Sequence, residues 1–242
     1  DLDMGSHNIT LSTSFESISN CTFNGNNHTI ANYTLSNKQY AGLLPNAIRV
    51  TVKNLTLKNA NITAVNDGSN NAYAGGFIGR AYGTNVVENC TLENSIVQGI
   101  NKVGGIAGFQ AENGISIRKC TVKGSTIKVD TENQEYGQCG GILGYIGSVA
   151  AANEVSGNFI INTKVEAPAN TNIGEEHRKS SICVGTLQGV KGQSLVIDMP
   201  FSYIQSSTFN GKTIDKTEYM GLLGGIRYEE TQPSLTINGT RF

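Results

Sequence analysis

The chain has 242 residues, with 18 basic and 19 acidic side chains and a formal net charge of −1. This balance argues against nucleic acid or an anionic membrane as partner, since both attract strongly basic proteins. No apolar run approaches the roughly 20 residues that cross a bilayer as a helix, so no direct membrane insertion is expected. The 29 glycines suit a chain with many sharp corners.

Glycine or asparagine recurs at positions that we interpret as chain corners. These two residue types tolerate the left-handed backbone region at the least steric cost. An apolar residue stands two positions before each corner, and a threonine usually precedes that residue. The predicted corners are Gly25, Asn59, Asn94, Gly124, Asn162, Gly211 and Gly239. Recurrence at a period of roughly 30 to 50 residues predicts a repeat array.

A second motif, a glycine-flanked apolar run, lies between successive corners. Its clearest copy is Gly76-Phe77-Ile78-Gly79. Other copies begin at Gly42, Gly105, Gly141 and Gly221, and a degraded copy begins at Gly185. Two motifs that recur in a fixed order indicate that each repeat is one structural unit.

The segments around the corners predict short strands. Residues 52–62, 86–97, 115–129 and 155–165 are rich in Val, Ile and Thr with Asn or Gly breaks, a pattern typical of strands. Three short strands per repeat, stacked about 4.8 Å apart, predict an all-β fold, a right-handed parallel β-helix of about seven coils. We expect one domain over residues 1–242, with a degraded repeat and an inserted loop at residues 167–203.

The glycine motif carries a family resemblance. Gly221-Leu222-Leu223-Gly224 resembles the Gly-Leu-x-Gly motif of the GLUG-repeat proteins of bacteria, although Pro45 stands where that pattern has glycine. The resemblance implies a secreted or cell-surface, adhesin-like module and brings no catalytic residues with it. The scarcity of ligand-spaced His, Cys and carboxylate residues predicts no metal site, and we expect no cofactor. Because residues 1–5 do not resemble a signal peptide, we expect this chain to be part of a longer protein whose targeting segment lies elsewhere.

In the glycine motif, the residues on both faces of the predicted strand are apolar. A strand with one face in water would instead alternate apolar and polar residues. We therefore predict an outer apolar face that another segment of the full-length protein or a partner covers. Its members would be Leu43, Phe77, Ile106, Ile142 and Leu222. The alternative is that these side chains turn inward at a distorted corner.

Carboxylates that could support catalysis are scarce. Enzymes that cleave glycans need clustered carboxylates, and the best cluster is Asp130, Glu132 and Glu135, with Lys128 nearby. Its other interpretation is a solvated polar turn. The sequence therefore favours a non-catalytic surface module that binds glycan or surface protein, or contacts other domains, or serves as a structural spacer. A polysaccharide-degrading β-helix, lyase or hydrolase, is the alternative.

Cysteine and asparagine recur in the repeats as well. Cys21, Cys90 and Cys120 are assigned to one repeat position, and Cys139 and Cys183 to another. We predict buried free thiols, because parallel stacked Cβ vectors fit disulfide geometry badly, with a coil-to-coil disulfide as the alternative. An asparagine stands two positions before the repeated threonine in three repeats, at Asn20, Asn54 and Asn89. We predict that these asparagines stack between coils rather than carry glycans.

Overall fold

The protein is a parallel β-helix, as the sequence predicts. A computed structural model describes residues 1–5, 8–11, 17–66, 68, 71–129, 137–147, 153–167, 181–189, 195–198, 203–205, 207–209, 212–214, 223–228 and 235–238. The described residues contain strands and turns but no helix. Strands of successive coils pair in parallel and build four sheets, which we name A to D.

Sheet A has 11 strands, several of which are two halves of one rung. They are Leu2–Asp3, Thr22–Ala31, Thr51–Lys58, Asn85–Glu93, Ile115–Arg118, Thr121–Lys123, Asn153–Ser156, Phe159–Ile161, Leu195–Asp198, Tyr203–Gln205 and Leu235–Asn238. Sheet B has eight. They are Asn8–Leu11, Thr34–Lys38, Asn61–Val65, Ile96–Gly99, Thr126–Val129, Lys164–Glu166, Ser207–Phe209 and Lys212–Ile214.

Sheet C has seven strands, in agreement with a helix of about seven coils. They are Ile18–Ser19, Leu44–Ile48, Ile78–Tyr82, Ala107–Gln110, Leu143–Ile146, Val184–Gly189 and Leu223–Tyr228. Sheet D is a short face of four strands. They are Tyr40–Ala41, Tyr73–Gly75, Lys102–Gly104 and Gln138–Gly140. The chain visits the sheets in the order A, B, D, C in each full coil, so a repeat supplies four strands rather than the three predicted.

Like residues lie on one another in adjacent coils because the pairing is in register. Leu92 pairs with Leu57 on one side and with Val122 on the other, and all three are buried. Each side chain of this size stabilises the fold by roughly 1.5–3 kcal/mol relative to an exposed one. The core is therefore a set of aliphatic columns that run along the helix.

The corners after sheet A are confirmed in the middle of the chain and shifted at its start. Asn59, Asn94 and Asn162 have φ values of 52°, 50° and 48°, and Gly124 has 59°. The first corner is Asn32, with φ 57°, and the prediction of Gly25 is wrong. A bulge between Asn24 and His28 shifts the register, so that Ile30 rather than Phe23 pairs with Leu57.

The predicted register is also wrong near the C-terminus. Phe209 pairs with Val165 in sheet B, and it pairs antiparallel with Lys212. Residues 210–211 between these strands are Asn-Gly, a dipeptide typical of hairpin turns. Ile204 occupies the position before the sheet A corner instead, since it pairs with Ile160. Ile237 pairs with Ile197 in the first half of sheet A rather than at the position before the corner, and the predicted corner residue Gly239 lies outside the described residues.

Four of the five cysteines are buried, as predicted, and all five thiols are free. Cys90 and Cys120 lie on adjacent coils in the column that contains Leu55. Cys21 is exposed, because it lies in the turn before sheet A. Its carbonyl accepts a hydrogen bond from the Thr51 amide of the next coil. Cys183 does not share the position of Cys139. The Cys183 carbonyl accepts a hydrogen bond from the amide of Ile142. Cys183 therefore stacks on Ile142, an apolar residue of the glycine motif in the preceding coil.

Asparagine stacking is confirmed at Asn54 and Asn89. The Asn89 amide Nδ2 donates to Asn54 Oδ1 at 2.8 Å, and Asn54 Nδ2 donates to Asn24 Oδ1 at 3.0 Å. Asn20 lies in a different ladder, where its Oδ1 accepts from Arg49 Nε at 2.8 Å. The assignment of Asn20 to the same position is therefore wrong.

Candidate functional site

Two outward-facing rows of side chains meet where sheet D bends into sheet C. In sheet D, Tyr73 pairs with Tyr40, and Lys102 pairs with Gln138 in the same row. The corresponding row of sheet C contains Asn46, Arg80, Phe109 and Tyr145. Inward neighbours such as Ala74 and Ala81 are fully buried, so strand alternation directs these two rows away from the core.

Four aromatic rings of these rows form a continuous series along the helix. The Tyr40 and Tyr73 rings are stacked with centroids 5.2 Å apart. Tyr73 meets Phe109 edge to face at 5.0 Å, and Phe109 meets Tyr145 in the same way at 5.5 Å. Offset or edge-to-face pairs at these separations are favourable because ring edges and faces carry opposite partial charge. The series extends over four coils, which is about 14 Å at the usual strand spacing.

Two cations lie against the same rings. The Arg80 guanidinium carbon is 5.4 Å from the Tyr40 centroid and 5.9 Å from that of Tyr82. Lys102 Nζ lies 4.6 Å from the Tyr73 centroid, 5.0 Å from that of Phe109 and 4.9 Å from that of Tyr145. A cation over a ring face at these distances is attracted by the ring quadrupole. We call this set the aromatic–cation ladder: Tyr40, Tyr73, Arg80, Lys102, Phe109 and Tyr145.

The ladder lies in a partly dry environment. Burial raises the pKa of Tyr73 to about 12, since desolvation penalises the phenolate. The Tyr73 hydroxyl donates to Asn71 Oδ1 at 2.6 Å. Tyr40, Arg80, Lys102 and Phe109 are half-buried, so each keeps some surface in contact with solvent. Because of its raised pKa, the Tyr73 phenol remains neutral at physiological pH.

Charges elsewhere on the protein are arranged differently. On sheet A, Glu93 contacts Lys58 at 3.6 Å and Lys123 at 3.1 Å. Arg118 on the same sheet contacts Glu88 at 3.1 Å. These pairs lower the pKa values of Glu88 and Glu93, chiefly through hydrogen bonds from Arg118 and Lys123 respectively. Opposite charges on neighbouring strands contribute about 0.2–1 kcal/mol each, so sheet A uses its charges for coil stacking.

The long connections of the chain emerge beside the ladder. Residues 66–72 join sheet B to the sheet D strand that begins at Tyr73, and residues 130–137 join them again before Gln138. The predicted acidic turn of Asp130, Glu132 and Glu135 belongs to the second connection and lies outside the described residues. Insertions in solenoids often map to the binding face, which favours this side of the helix as functional.

The predicted outer apolar face is wrong for Phe77, Ile106 and Ile142, which are fully buried in the core. Leu43 is partly buried and packs against that core, and Leu222 lies outside the described residues. The chain bends at residues 76 and 77, between sheets D and C. This bend interrupts strand alternation, so that Phe77 and Ile78 both face inward.

The aromatic–cation ladder was not anticipated from the sequence. Tyr40-Ala41 and Tyr73-Ala74 are the same dipeptide at the same place in two repeats, which is a usable signal. The residue directly after the last glycine of the motif is Arg80, Phe109 or Tyr145 in three successive repeats. These positions appear unrelated until the bend between sheets D and C brings them together.

Comparison with known proteins identifies the repeat. Residues 70–97 match the family described as the GLUG motif, so the chain contains this motif, as the resemblance implied. The match includes one strand each of sheets D, C and A and the first half of the sheet B strand Ile96–Gly99. No curated protein matches the sequence.

A solved structure from Bacteroides ovatus, described as a "putative immunoglobulin A1 protease", is similar to the chain with a TM-score of 0.49 and 17% identity. The alignment covers 90% of this chain and 68% of that one.

The described residues contain no group of three or more His, Cys, Asp or Glu side chains placed to hold a metal ion. The same part of the chain contains no helix long and apolar enough to span a membrane.

Proposed function

We propose that this protein is a non-catalytic bacterial module, secreted or displayed at the cell surface, that binds glycan in the manner of an adhesin. The observation that supports this proposal is the aromatic–cation ladder. Tyr73 and Tyr145 are buried. The half-buried rings of Tyr40 and Phe109 are therefore the ones that can offer apolar surface to the C–H groups of sugar rings. The two cations of the ladder can donate hydrogen bonds to sugar oxygens. A repeat scaffold presents such features along an extended face, which suits a chain-like ligand.

The arrangement of charges supports the same interpretation. Sheet A pairs its cations with carboxylates, whereas the ladder places its cations over aromatic rings. The ring contacts also join neighbouring coils, but they leave Arg80 without a carboxylate partner among the described residues. This arrangement favours recognition as the role of the ladder, with a pure spacer as the alternative.

The test is binding of the protein to a panel of immobilised neutral and acidic polysaccharides. Phe109 lies at the centre of the ladder, and we expect Phe109→Ala to weaken binding at least tenfold, about 1.4 kcal/mol. Phe109→Tyr keeps the ring and should retain most of the affinity. Ile96→Ala is the matched control, because Ile96 is an exposed apolar residue on sheet B, 42% accessible. Unchanged binding by a folded Phe109→Ala variant would show that the ladder is not the site.

The same panel tests the enzymatic alternative. Release of oligosaccharides that is lost in Glu132→Gln and Glu135→Gln would replace the binding module by a polysaccharide-degrading enzyme. If the protein neither binds nor cleaves any glycan, a protein partner or a spacer role becomes the better interpretation.

A further inference from the structure

We propose that the aromatic–cation ladder recognises an acidic glycan, with Arg80 as the residue that binds the anionic group. This inference rests on the proposed glycan-binding function and adds the chemical class of the ligand. It depends on the surroundings of one side chain, the half-buried guanidinium of Arg80.

Arg80 has rings rather than carboxylates beside it. Within the described residues, its guanidinium makes no ion pair, and its contacts are the rings of Tyr40 and Tyr82 at 5.4 and 5.9 Å. Arg118, by contrast, contacts both Glu88 and Glu154. Ring contacts attract a guanidinium through its face. They leave the in-plane N–H donors available, which is the geometry that binds a carboxylate or sulfate.

Glu112, which interacts with the same tyrosine as Arg80, does not neutralise this charge. Tyr82 hydrogen-bonds the Glu112 carboxylate, an interaction that raises the pKa of Tyr82. Glu112 is therefore engaged with the phenol, and it does not form an ion pair with Arg80 by distance. Among the described residues, no carboxylate therefore competes with an arriving anion for contact with the guanidinium.

Lys102 places a second positive charge one coil further along the same ladder. Its Nζ lies over three rings and is 3.3 Å from Asn101 Oδ1. Arg80 on sheet C and Lys102 on sheet D therefore place positive charges on two successive coils of the ladder. The whole protein has a net charge of −1, so any preference for acidic glycans must come from this local arrangement rather than from overall attraction.

The experiment compares polygalacturonic acid with its methyl ester, which keeps the sugar chain and removes the charge. Dextran sulfate and unmodified dextran form the second pair of probes, and they distinguish sulfate from carboxylate. We expect the wild-type protein to bind at least one acidic polymer about tenfold or more tightly than its neutral counterpart. Arg80→Gln should remove that preference while retaining binding to the neutral polymer.

Two variants control for charge and for folding. Arg80→Lys keeps the charge and should retain part of the preference. Lys164→Gln removes one positive charge from an exposed position on sheet B and should bind like the wild-type protein. If it loses the preference to the same extent as Arg80→Gln, the effect is one of net charge and the inference fails.

The outcomes separate the two proposals. Arg80-dependent preference for the carboxylate, the sulfate or both supports the acidic class and names the group recognised. Equal binding of acidic and neutral polymers, still lost in Phe109→Ala, overturns the acidic class and leaves the glycan-binding function intact. Absence of binding to every polymer overturns both.

Discussion

At the scale of single residues, backbone conformation selects asparagine at repeated positions. Asn54 and Asn89 have φ values of 54° and 51° in the middle of sheet A, a region that costs other L-residues roughly 1–2 kcal/mol. Their side-chain amides also hydrogen-bond to one another at 2.8 Å across the coil boundary. Asparagine therefore serves the local turn and the stacking at once, which explains why it recurs.

Substitution of Asn89 separates these two contributions. Asn89→Gly removes the amide hydrogen bond but tolerates the positive φ, so we expect a loss of about 0.5–1.5 kcal/mol in the free energy of unfolding. Asn89→Ala adds the conformational cost and should lose about 1–2 kcal/mol more. Urea denaturation monitored by circular dichroism measures both. Equal losses would indicate that the backbone conformation at this position is not strained for alanine.

At the scale of elements, the glycine motif is a corner rather than an ordinary strand. Only glycine fits at position 76 in the bend, because a Cβ there would collide with the carbonyl oxygen of Gly105 on the next coil. The bend turns Phe77 into the core, where it stacks along the helix with Ile106: the Phe77 amide donates to the Ile106 carbonyl at 3.0 Å. The motif thus closes the coil and fills its interior with the same few residues.

Truncation of Phe77 tests this interior position. Because Phe77 is fully buried, we expect Phe77→Ala to lower the free energy of unfolding by about 3–5 kcal/mol. Ile96→Ala, at an exposed position on sheet B, should change it by no more than about 0.5 kcal/mol. Chemical denaturation of both variants provides the comparison. A Phe77→Ala variant as stable as the control would place the side chain on the surface instead.

At the scale of the whole molecule, the β-helix divides its tasks among its faces. Sheet A uses asparagine and ion-pair ladders that join coil to coil. The bend between sheets D and C carries the aromatic–cation ladder, beside the long connections of the chain. Neighbouring coils depend on one another for their burial, as in other solenoids, so a titration that weakens one coil is expected to affect the array.

Alkaline pH provides such a titration. Burial raises the pKa of both Tyr33 and Tyr73 from 10.0 to about 12. Between these values the unfolded chain loses the phenol protons while the folded protein keeps them, so stability falls as the pH rises. Each tyrosine should contribute a loss of about 1.4 kcal/mol per pH unit in that window.

Urea denaturation across the window from pH 10 to about 12 measures the slope. Tyr33→Phe should remove the Tyr33 contribution and flatten the pH dependence, whereas its stability below the window should change little. Phenolate absorbance of the folded protein provides an independent check. Ordinary titration of every tyrosine near pH 10 would contradict the expected burial.

Much of the fold could be predicted from the sequence because its rules are local. A left-handed backbone at a corner favours asparagine or glycine, as at Asn59, Asn94, Gly124 and Asn162. This preference can be recognised in each repeat separately. The first and last repeats were assigned to the wrong register. Phe23-Asn24-Gly25 and Phe209-Asn210-Gly211 resemble the corner pattern, and only pairing with the next coil shows that one adjoins a bulge and the other a hairpin.

The sequence by itself determined the repeat, its β-helical fold and the GLUG motif, since short-range conformational preferences repeat with the chain. Only the tertiary structure decided the direction of Phe77 and the meeting of Tyr73, Arg80 and Phe109. A bend of a few residues reverses which side chains face the core, and coil stacking brings together residues about 30 positions apart. The repeated Tyr-Ala dipeptide marks a position in the repeat, but it does not show which residues meet there, because the direction of each side chain depends on the path of the backbone through the whole coil.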